Sequence, residues 1–576
     1  IAGLSVSDPY NEYRLRESSG GLAAFYRSHG YMFVEAGFDK SFSSDMERAR
    51  VVFTIREGPQ VRAGRIRIEG AEMTSKRLIR ERLVIEPGDL VTPNKIEESQ
   101  QRLMELGILD SATVQMISPD AAAEIKNLKV QVSEGNPQYL ELRAGMATVE
   151  GFRGGFEYGY RNLAGWAINA RLRARANYRL FFLGNESPVI SAFEEYYNDL
   201  DLDKQIEHHV LVGVGQPHLP GTKGLLGWGI DGIMERLNEP AFSAKHWTGF
   251  VRLNTTHALG LKFRRAFTAE LRTGLELSTL NVLALKSLLG EGEDSDDRII
   301  NPVYTPYLRL PDGKSLFWVT GLKFALDFRD HPFNPTKGIL VSLGGDLVRS
   351  LSGFKPEYRD SETGDTIDTD ALSGDELAEG LESEQILKVY KLSKLIRAQA
   401  TISGYIPFGD TEMVLALSTT VGYIFHLTDD SVTWANRYFY AGGIDTLRGF
   451  PEESLVPEDI YQDWKSTLQD SSQAAGDLLK SSGGEAMFIA RAEFRYPLAK
   501  GFYGAFFSEV GNLWREQNKI NFVDLSPFRV HLRPVAGGGI RYLTPLGSLS
   551  FDLGVNLFRR PHESLFAWYL SIGTAF

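Results

Sequence analysis

The sequence predicts two α+β repeats followed by an all-β transmembrane barrel of about sixteen antiparallel strands. Three observations carry this. From Gln138 onward helical spacing gives way to alternation of apolar and polar residues, the mark of strands with two unlike faces. Ile168, Ala170, Leu172, Ala174, Ala176 and Tyr178 interleave with Asn169, Arg171, Arg173, Arg175 and Asn177. Three arginines on one strand face would be costly in a dry core and suit a wet lumen. Finally, short turns at Arg161–Gly165, Asn334–Gly338, Pro407–Asp410, Leu498–Gly501 and Thr544–Gly547 alternate with long polar connections, including 286–314, 351–385 and 427–484. Short turns on one side and long loops on the other is the arrangement of outer-membrane barrels.

Composition agrees. No run of 18 apolar residues exists among the 576, which excludes a transmembrane helix but not spanning strands. Gly 57, Tyr 23 and Phe 34 suit a glycine- and aromatic-rich barrel, and the lack of cysteine excludes disulfides and thiolate metal sites. The net charge of −12 is concentrated. Glu357–Glu384 holds eleven acidic residues and one arginine, and Glu291–Asp297 is a second acidic run; both read as solvated loops. The remainder is nearly neutral, which argues against a nucleic-acid partner. Ile1 opens directly within a fold, so a processed chain is expected.

Taken in order, residues 1–59 read as a helix over Arg14–His29 and strands over Tyr31–Ser43 and Glu47–Glu57, ending at Gly58-Pro59. Residues 60–136 repeat this with more in front. Arg65–Glu69 alternates as a strand. Thr74 or Ser75 can cap a short helix to Leu83. Thr92-Pro93 places a cap before a proline at the first helical position, opening a helix to about Leu106. Strands follow at Ala112–Ser118 and Ile125–Glu134. The second unit is β-α-α-β-β, the first is its last three elements, and both end in Glu-Gly. The barrel then occupies 137–576, with a sixth long loop over 427–484. An even strand count puts both barrel ends on the side that holds 1–136.

The sixth loop carries Arg437-Tyr-Phe-Tyr-Ala-Gly-Gly-Ile-Asp-Thr-Leu-Arg-Gly-Phe450. Gly449 permits a tight turn that presents Arg448 beside Phe450. A guanidinium on such a tip fits a walled cavity holding carboxylates. No G-x-S-x-G, H-E-x-x-H or Walker loop is present, so neither catalytic residues nor a cofactor nor a metal is expected. His208 and His209 are strand neighbours facing opposite sides.

These residues resemble the BamA/TamA superfamily of outer-membrane assembly factors, and the BamA side most. The β-α-α-β-β unit resembles a POTRA domain. Tyr160–Gly165 and Asp327–Gly338 resemble the family's periplasmic turns, and Arg448-Gly449-Phe450 its sixth-loop motif, with Leu447 in place of valine. Glu493-Phe494 and Phe506–Trp514 resemble the strands that receive the loop, with Glu509 where aspartate is usual. Ile572–Phe576 resembles the closing strand. The resemblance implies a protein of the bacterial outer membrane with POTRA units in the periplasm. Unfolded β-barrel clients would be its partners, together with the lipid bilayer and accessory lipoproteins or a TamB-like protein. A polypeptide-secreting or solute-conducting transporter, or a TamA-like translocation module, is the alternative, and the arginine face of 169–175 would suit an anion path.

Two site expectations follow. Glu493 lies on the polar side of its strand, with Met487, Ile489, Arg491 and Arg495, so it should face inward and receive Arg448, with Glu509 as second partner. The barrel should close between Gln138–Val149 and Leu565–Phe576. In the last strand Phe566, Trp568, Leu570 and Ile572 should face outward and Ala567, Tyr569, Ser571 and Gly573 inward. Gly145 and Gly573 should weaken this seam, the last residues to Phe576 should bend away, and Leu142 and Leu570 are candidates to face each other across it.

Overall fold

The computed structural model describes residues 5, 8–45, 47–148, 151–179, 188–222, 226–258, 266–283, 310–331, 334–352, 355–363, 365–409, 411–470, 483–499, 501–525, 528–544, 547–560 and 563–573. They form two compact units: 1–139 with 159–170 and 214–227, and the remainder.

In the first unit, α1 (Glu12–Ser28) starts at Asn11, whose side chain accepts the Tyr13 and Arg14 N–H groups. β1 (Glu35–Phe42) and β2 (Ala49–Arg56) pair as an eight-residue antiparallel hairpin. Then come β3 (Arg62–Glu69), α2 (Lys76–Arg82), α3 (Pro93–Met104), β4 (Leu109–Met116) and β5 (Ile125–Glu134). β5 is central, parallel to β3 and antiparallel to β4. The apolar side chains of β4 and β5 bury against α2 and α3 through Leu78, Ile79, Leu103, Val114, Val130 and Val132. Each such side chain contributes about 1.5–3 kcal/mol. Thr92 caps α3 by accepting the Lys95 N–H, with Pro93 at the first helical position. The start of α2 differs from expectation. Ser75 occupies the cap position without a side-chain bond. The turn ahead of the helix is held by the Glu134 carboxylate, at the end of β5, which accepts N–H groups of Glu72, Met73 and Thr74 at 3.1, 2.9 and 2.6 Å.

Sixteen strands close a barrel. They are β6 (Gln138–Ala147), β7 (Gly151–Leu163), β8 (Ile168–Tyr178), β9 (Glu207–Gln216), β10 (Gly227–Glu239), β11 (Phe242–Ala258), β12 (Ala266–Val282), β13 (Gly313–Asp327) and β14 (Gly338–Ser350), after which β15 (Glu357–Asp360) and β16 (Ile386–Val389) form a separate hairpin. The barrel resumes with β17 (Lys394–Pro407), β18 (Val414–His426), β19 (Ala486–Ala499) and β20 (Phe502–Trp514). β21 (Val523–Leu525) and β22 (Phe528–Val530) make a second side hairpin, and β23 (Arg533–Thr544), β24 (Gly547–Asn556) and β25 (Phe566–Gly573) finish the wall. Two further helices matter below: α4 (Gly374–Glu382) and α5 (Glu458–Asp470), in the fifth and sixth long connections.

One expectation fails here. Glu357–Glu384 is not merely a solvated loop: it holds β15, the start of the link to β16, and α4, closed by a Ser373/Glu376 capping box. The physical reason is Arg359. Buried in this insertion, it donates to Glu357 at 3.1 Å and Asp312 at 2.9 Å, and Glu357 also meets Lys391. The shorter acidic run, Glu291–Asp297, lies outside the described residues.

Candidate functional site

The tip of the sixth connection is folded by its own backbone before it meets the wall. Gly442 and Gly443 both adopt positive φ, at 108° and 103°, where a Cβ would clash. Thr446 Oγ1 accepts the Gly442 N–H and donates to its carbonyl, and the Gly443 N–H donates to the Phe450 carbonyl. The resulting ring of chain from 443 to 450 holds Arg448 at its end.

Arg448 is 4% exposed and gripped from several sides. Its backbone N–H and Nε donate to the two oxygens of Glu509, each at 2.7 Å. Its Nη1 donates to Glu493 at 2.8 Å and lies 3.6 Å from Asp552. The guanidinium stacks 3.5 Å from the Phe507 ring centroid. Arg541 donates twice to Glu493, at 2.8 and 3.1 Å, and Arg495 once, at 2.7 Å. Three guanidiniums thus meet three carboxylates, so the cluster is neutral as a whole. The order of partners is reversed from expectation: Glu509 makes two bonds to Arg448 and Glu493 one.

The strand β20 reads poorly from sequence for a visible reason. Its inward residues Ala505, Phe507 and Leu513 are buried, as is Glu509 between them, while Phe506 is 62% exposed. The inward face is apolar because the sixth connection fills the barrel beside it. Leu447, Phe450, Leu455 and Val456 pack in one core with Phe507, Leu513 and Val535 of the wall. On this side the lumen is a hydrophobic core, not a water channel.

Gly449 also acts differently from expectation. It is not at positive φ. A Cβ there would lie 2.7 Å from Val535 and 3.2 Å from the Asn556 nitrogen. Glycine is needed because the loop backbone touches the wall. Gly554 on β24 is the matching position, since a Cβ there would come 2.1 Å from the Arg448 carbonyl. Phe450 is buried, and the Tyr569 hydroxyl of β25 donates to its carbonyl. Sequence reasoning missed Asp552, Arg541, Phe507 and Gly554. Asp552 and Gly554 belong to the polar alternation of β24 (Ser548, Ser550, Asp552, Gly554, Asn556), so their inward direction was legible and their partners were not.

Farther along the same connection, Glu452 and Glu453 line a cavity of about 190 Å3 with Arg179, Glu207 and Glu239. Arg179 donates to Glu207 at 2.8 Å and Glu239 at 2.9 Å. Burial first, then the neighbouring Glu239 and Glu452, push the Glu453 carboxyl well above the usual carboxylate range. At the start of α5, burial raises Glu458 but Arg560, Gln462 and His531 outweigh it and hold its carboxyl at about 2. Burial lowers His531, and its bonds to Glu458 and Asp524 more than reverse this.

Two of the three arginines of β8 are paired across the wall: Arg171 donates to Asp231 at 3.1 Å and Arg173 to Glu157 at 2.6 Å, while Arg175 lines the cavity beside Arg179. Among the described residues no three His, Cys, Asp or Glu side chains are grouped to hold a metal.

Among the described residues β25 and β6 pair at Ser571↔Ala147, Ile572↔Met146 and Gly573↔Gly145. The Thr148 N–H adds one bond to the Leu570 carbonyl at 3.0 Å. Gly145 and Gly573 are direct partners. Leu142 and Leu570 do not face each other: this register sets Leu570 beside Thr148, because each step along one strand is matched by a step back on the other. Leu142 is 78% exposed. Phe576 lies outside the described residues. In β25 Ala567 and Tyr569 are buried, on the face assigned inward, and Phe566 is exposed.

Comparison with known proteins gives a consistent frame. The Omp85 superfamily domain matches residues 253–576, and the POTRA family, a surface antigen variable number repeat, matches 61–135. An outer membrane protein assembly factor BamA from Neorickettsia risticii is 22% identical over 553 residues, which is 94% of this chain and 59% of that protein. The namesake from Nitratidesulfovibrio vulgaris is 27% identical over 182 residues, 31% of this chain and 22% of its own. The chain thus spans less than two thirds of these curated relatives. The crystal structure of BamA from Haemophilus ducreyi lacking POTRA domains 1–3 shares the fold, with TM-score 0.66 and 15% identity, over 100% of this chain and 96% of that one. A POTRA domain, a closed sixteen-strand barrel and an Omp85 match over more than half the sequence place this protein in the Omp85 superfamily.

Proposed function

We propose that this protein folds and inserts β-barrel proteins into the bacterial outer membrane, working through the weak seam between β25 and β6. Its clients are unfolded outer-membrane barrel chains. The POTRA region stands in the periplasm, where its sheet edges and accessory lipoproteins, or a TamB-like partner, hand clients over. No covalent bond is made or broken.

The observation that carries this reading is the pairing of glycine against glycine in the seam, Gly145↔Gly573, since glycine weakens a strand interior. An open strand edge in lipid leaves backbone groups unpaired, at several kcal/mol each. A seam weakened by paired glycines can part, and the freed edge of β6 then gains a client strand by β-augmentation. The assembly-factor names of the BamA relatives support the same reading. The packed sixth connection and the paired Arg171 and Arg173 speak against a conducting pore.

The test is a crosslink at residues that are opposite one another. Cβ atoms of directly opposed strand residues lie about 4.5–5.5 Å apart, close enough for a disulfide. Ala147→Cys with Ser571→Cys, oxidised, should stop insertion of an unfolded barrel client into liposomes, and reduction should restore it. Full insertion by the crosslinked barrel would remove seam opening from the mechanism.

A further inference from the structure

The sixth, seventh and eighth long connections meet around a cavity of about 300 Å3. Its wall carries four cations: Lys465 from α5, Arg529 from β22, Arg533 at the start of β23, and Arg560 from the link between β24 and β25. The carboxylate lining it is Glu458, which accepts from Arg560 and meets His531 at 3.0 Å. Behind the wall, Glu563 accepts from Arg533 and from the Arg560 backbone N–H. His531 also bonds Asp524, so those two cancel when the imidazole is charged. Four cations therefore face two carboxylates, an excess of two positive charges.

A network that merely ties the three connections together would match donors to acceptors. This one does not. Arg533 and Arg560 are 3% and 9% exposed, yet Arg533 Nε and Arg560 Nη1 have no hydrogen-bond partner. A buried donor left without an acceptor costs free energy that a bound acceptor would recover. Aromatic faces hold both guanidiniums in place: Arg560 lies 3.5 Å from the Tyr461 ring and Arg533 5.4 Å from that of Phe450. Lys465 and Arg529 are exposed at the rim, where an incoming group would meet them first.

The geometry points to a binding site for a phosphate monoester. Such a group carries about −1.5 to −2 charges at neutral pH with three acceptor oxygens, which matches the charge excess of the lining. Guanidinium forks bind phosphate oxygens in pairs, and a lysine adds a mobile point charge. Phosphate chemistry of this kind comes either from a phosphorylated glycolipid headgroup or from a soluble phosphate ester.

The test uses the full chain in detergent micelles, titrated with inorganic phosphate and followed by phosphorus NMR and calorimetry. Saturable binding is expected. The rim variant Lys465→Gln/Arg529→Gln leaves the buried cluster intact and should keep heat-modifiable folding while weakening phosphate by about tenfold or more. Vesicles containing phosphorylated lipid A then separate the sources. Competition by these vesicles, and not by vesicles of the dephosphorylated lipid, assigns a lipid ligand. Competition by soluble phosphate esters alone assigns a soluble one. Absence of saturable phosphate binding, or equal binding by the folded rim variant, overturns the proposal.

Discussion

At the residue scale, Arg448 is held by three strands of the wall at once. It satisfies Glu509 twice and Glu493 once, and lies beside Asp552, whose two oxygens have no hydrogen bond of their own. Removing one member of a buried, bonded ion network leaves uncompensated charge, at about 3–5 kcal/mol. Arg448→Ala should therefore lower the temperature at which heat-modifiable migration is lost and expose the sixth connection to protease. Arg448→Lys should be intermediate, because the backbone N–H still holds one oxygen of Glu509 while a single ammonium replaces poorly the Nε at the other oxygen and the Nη1 at Glu493. Unchanged melting and protease resistance in the alanine variant would mean that the loop is held by its apolar packing alone.

At the element scale, α5 is the piece that joins connections. Glu458 at its start bonds His531 and Arg560, and Asp459 accepts the N–H groups of Arg515 and Glu516 at 2.9 and 2.8 Å. Two titrations act here with opposite sign. His531 is raised on folding, so its contribution is complete below the unfolded value, about 6.5, and fades as pH rises through the folded one. Glu458 is lowered to about 2, so its contribution is complete above the ordinary carboxylate value and is lost as pH falls toward 2. The clasp is strongest between about pH 4.3 and 6.5. Hydrogen exchange of residues 528–533 should quicken as pH rises from 6 to 9 beyond the intrinsic chemical trend. His531→Gln should remove that excess; the same excess in the variant would assign it to another group.

At the scale of the whole molecule, the two units have separate cores. The first core is built from Leu78, Ile79, Leu103, Val130 and their neighbours, with Ala167 of the β7–β8 turn, while the barrel is cored by its own sixth connection. Deleting residues 1–136 should thus leave a heat-modifiable barrel that inserts clients poorly. Full insertion by the barrel alone would remove the docking role assigned to the POTRA region. Loss of folding would instead show that the barrel depends on residues before 137.

Local pattern alone was enough for much of this molecule. Period-two alternation identifies which face of β24, β25 and β19 is inward, because side-chain direction is a property of the extended backbone. Cap residues located α3, and turn spacing gave the count of about sixteen strands. What only the tertiary structure decided is who meets whom across long separations. Asp552 and Arg541 join Arg448 from strands far along the chain, Glu134 holds the turn before α2, and Gly449 serves contact with Val535 and Asn556 rather than a turn. β20 lost its alternation because the loop, not water, lies against its inward face. The seam register, Gly145 against Gly573, is fixed by closure of the entire barrel. Alternation specifies a side of the strand, and a shift by two residues leaves every side unchanged, so the pairing itself comes from the assembled whole.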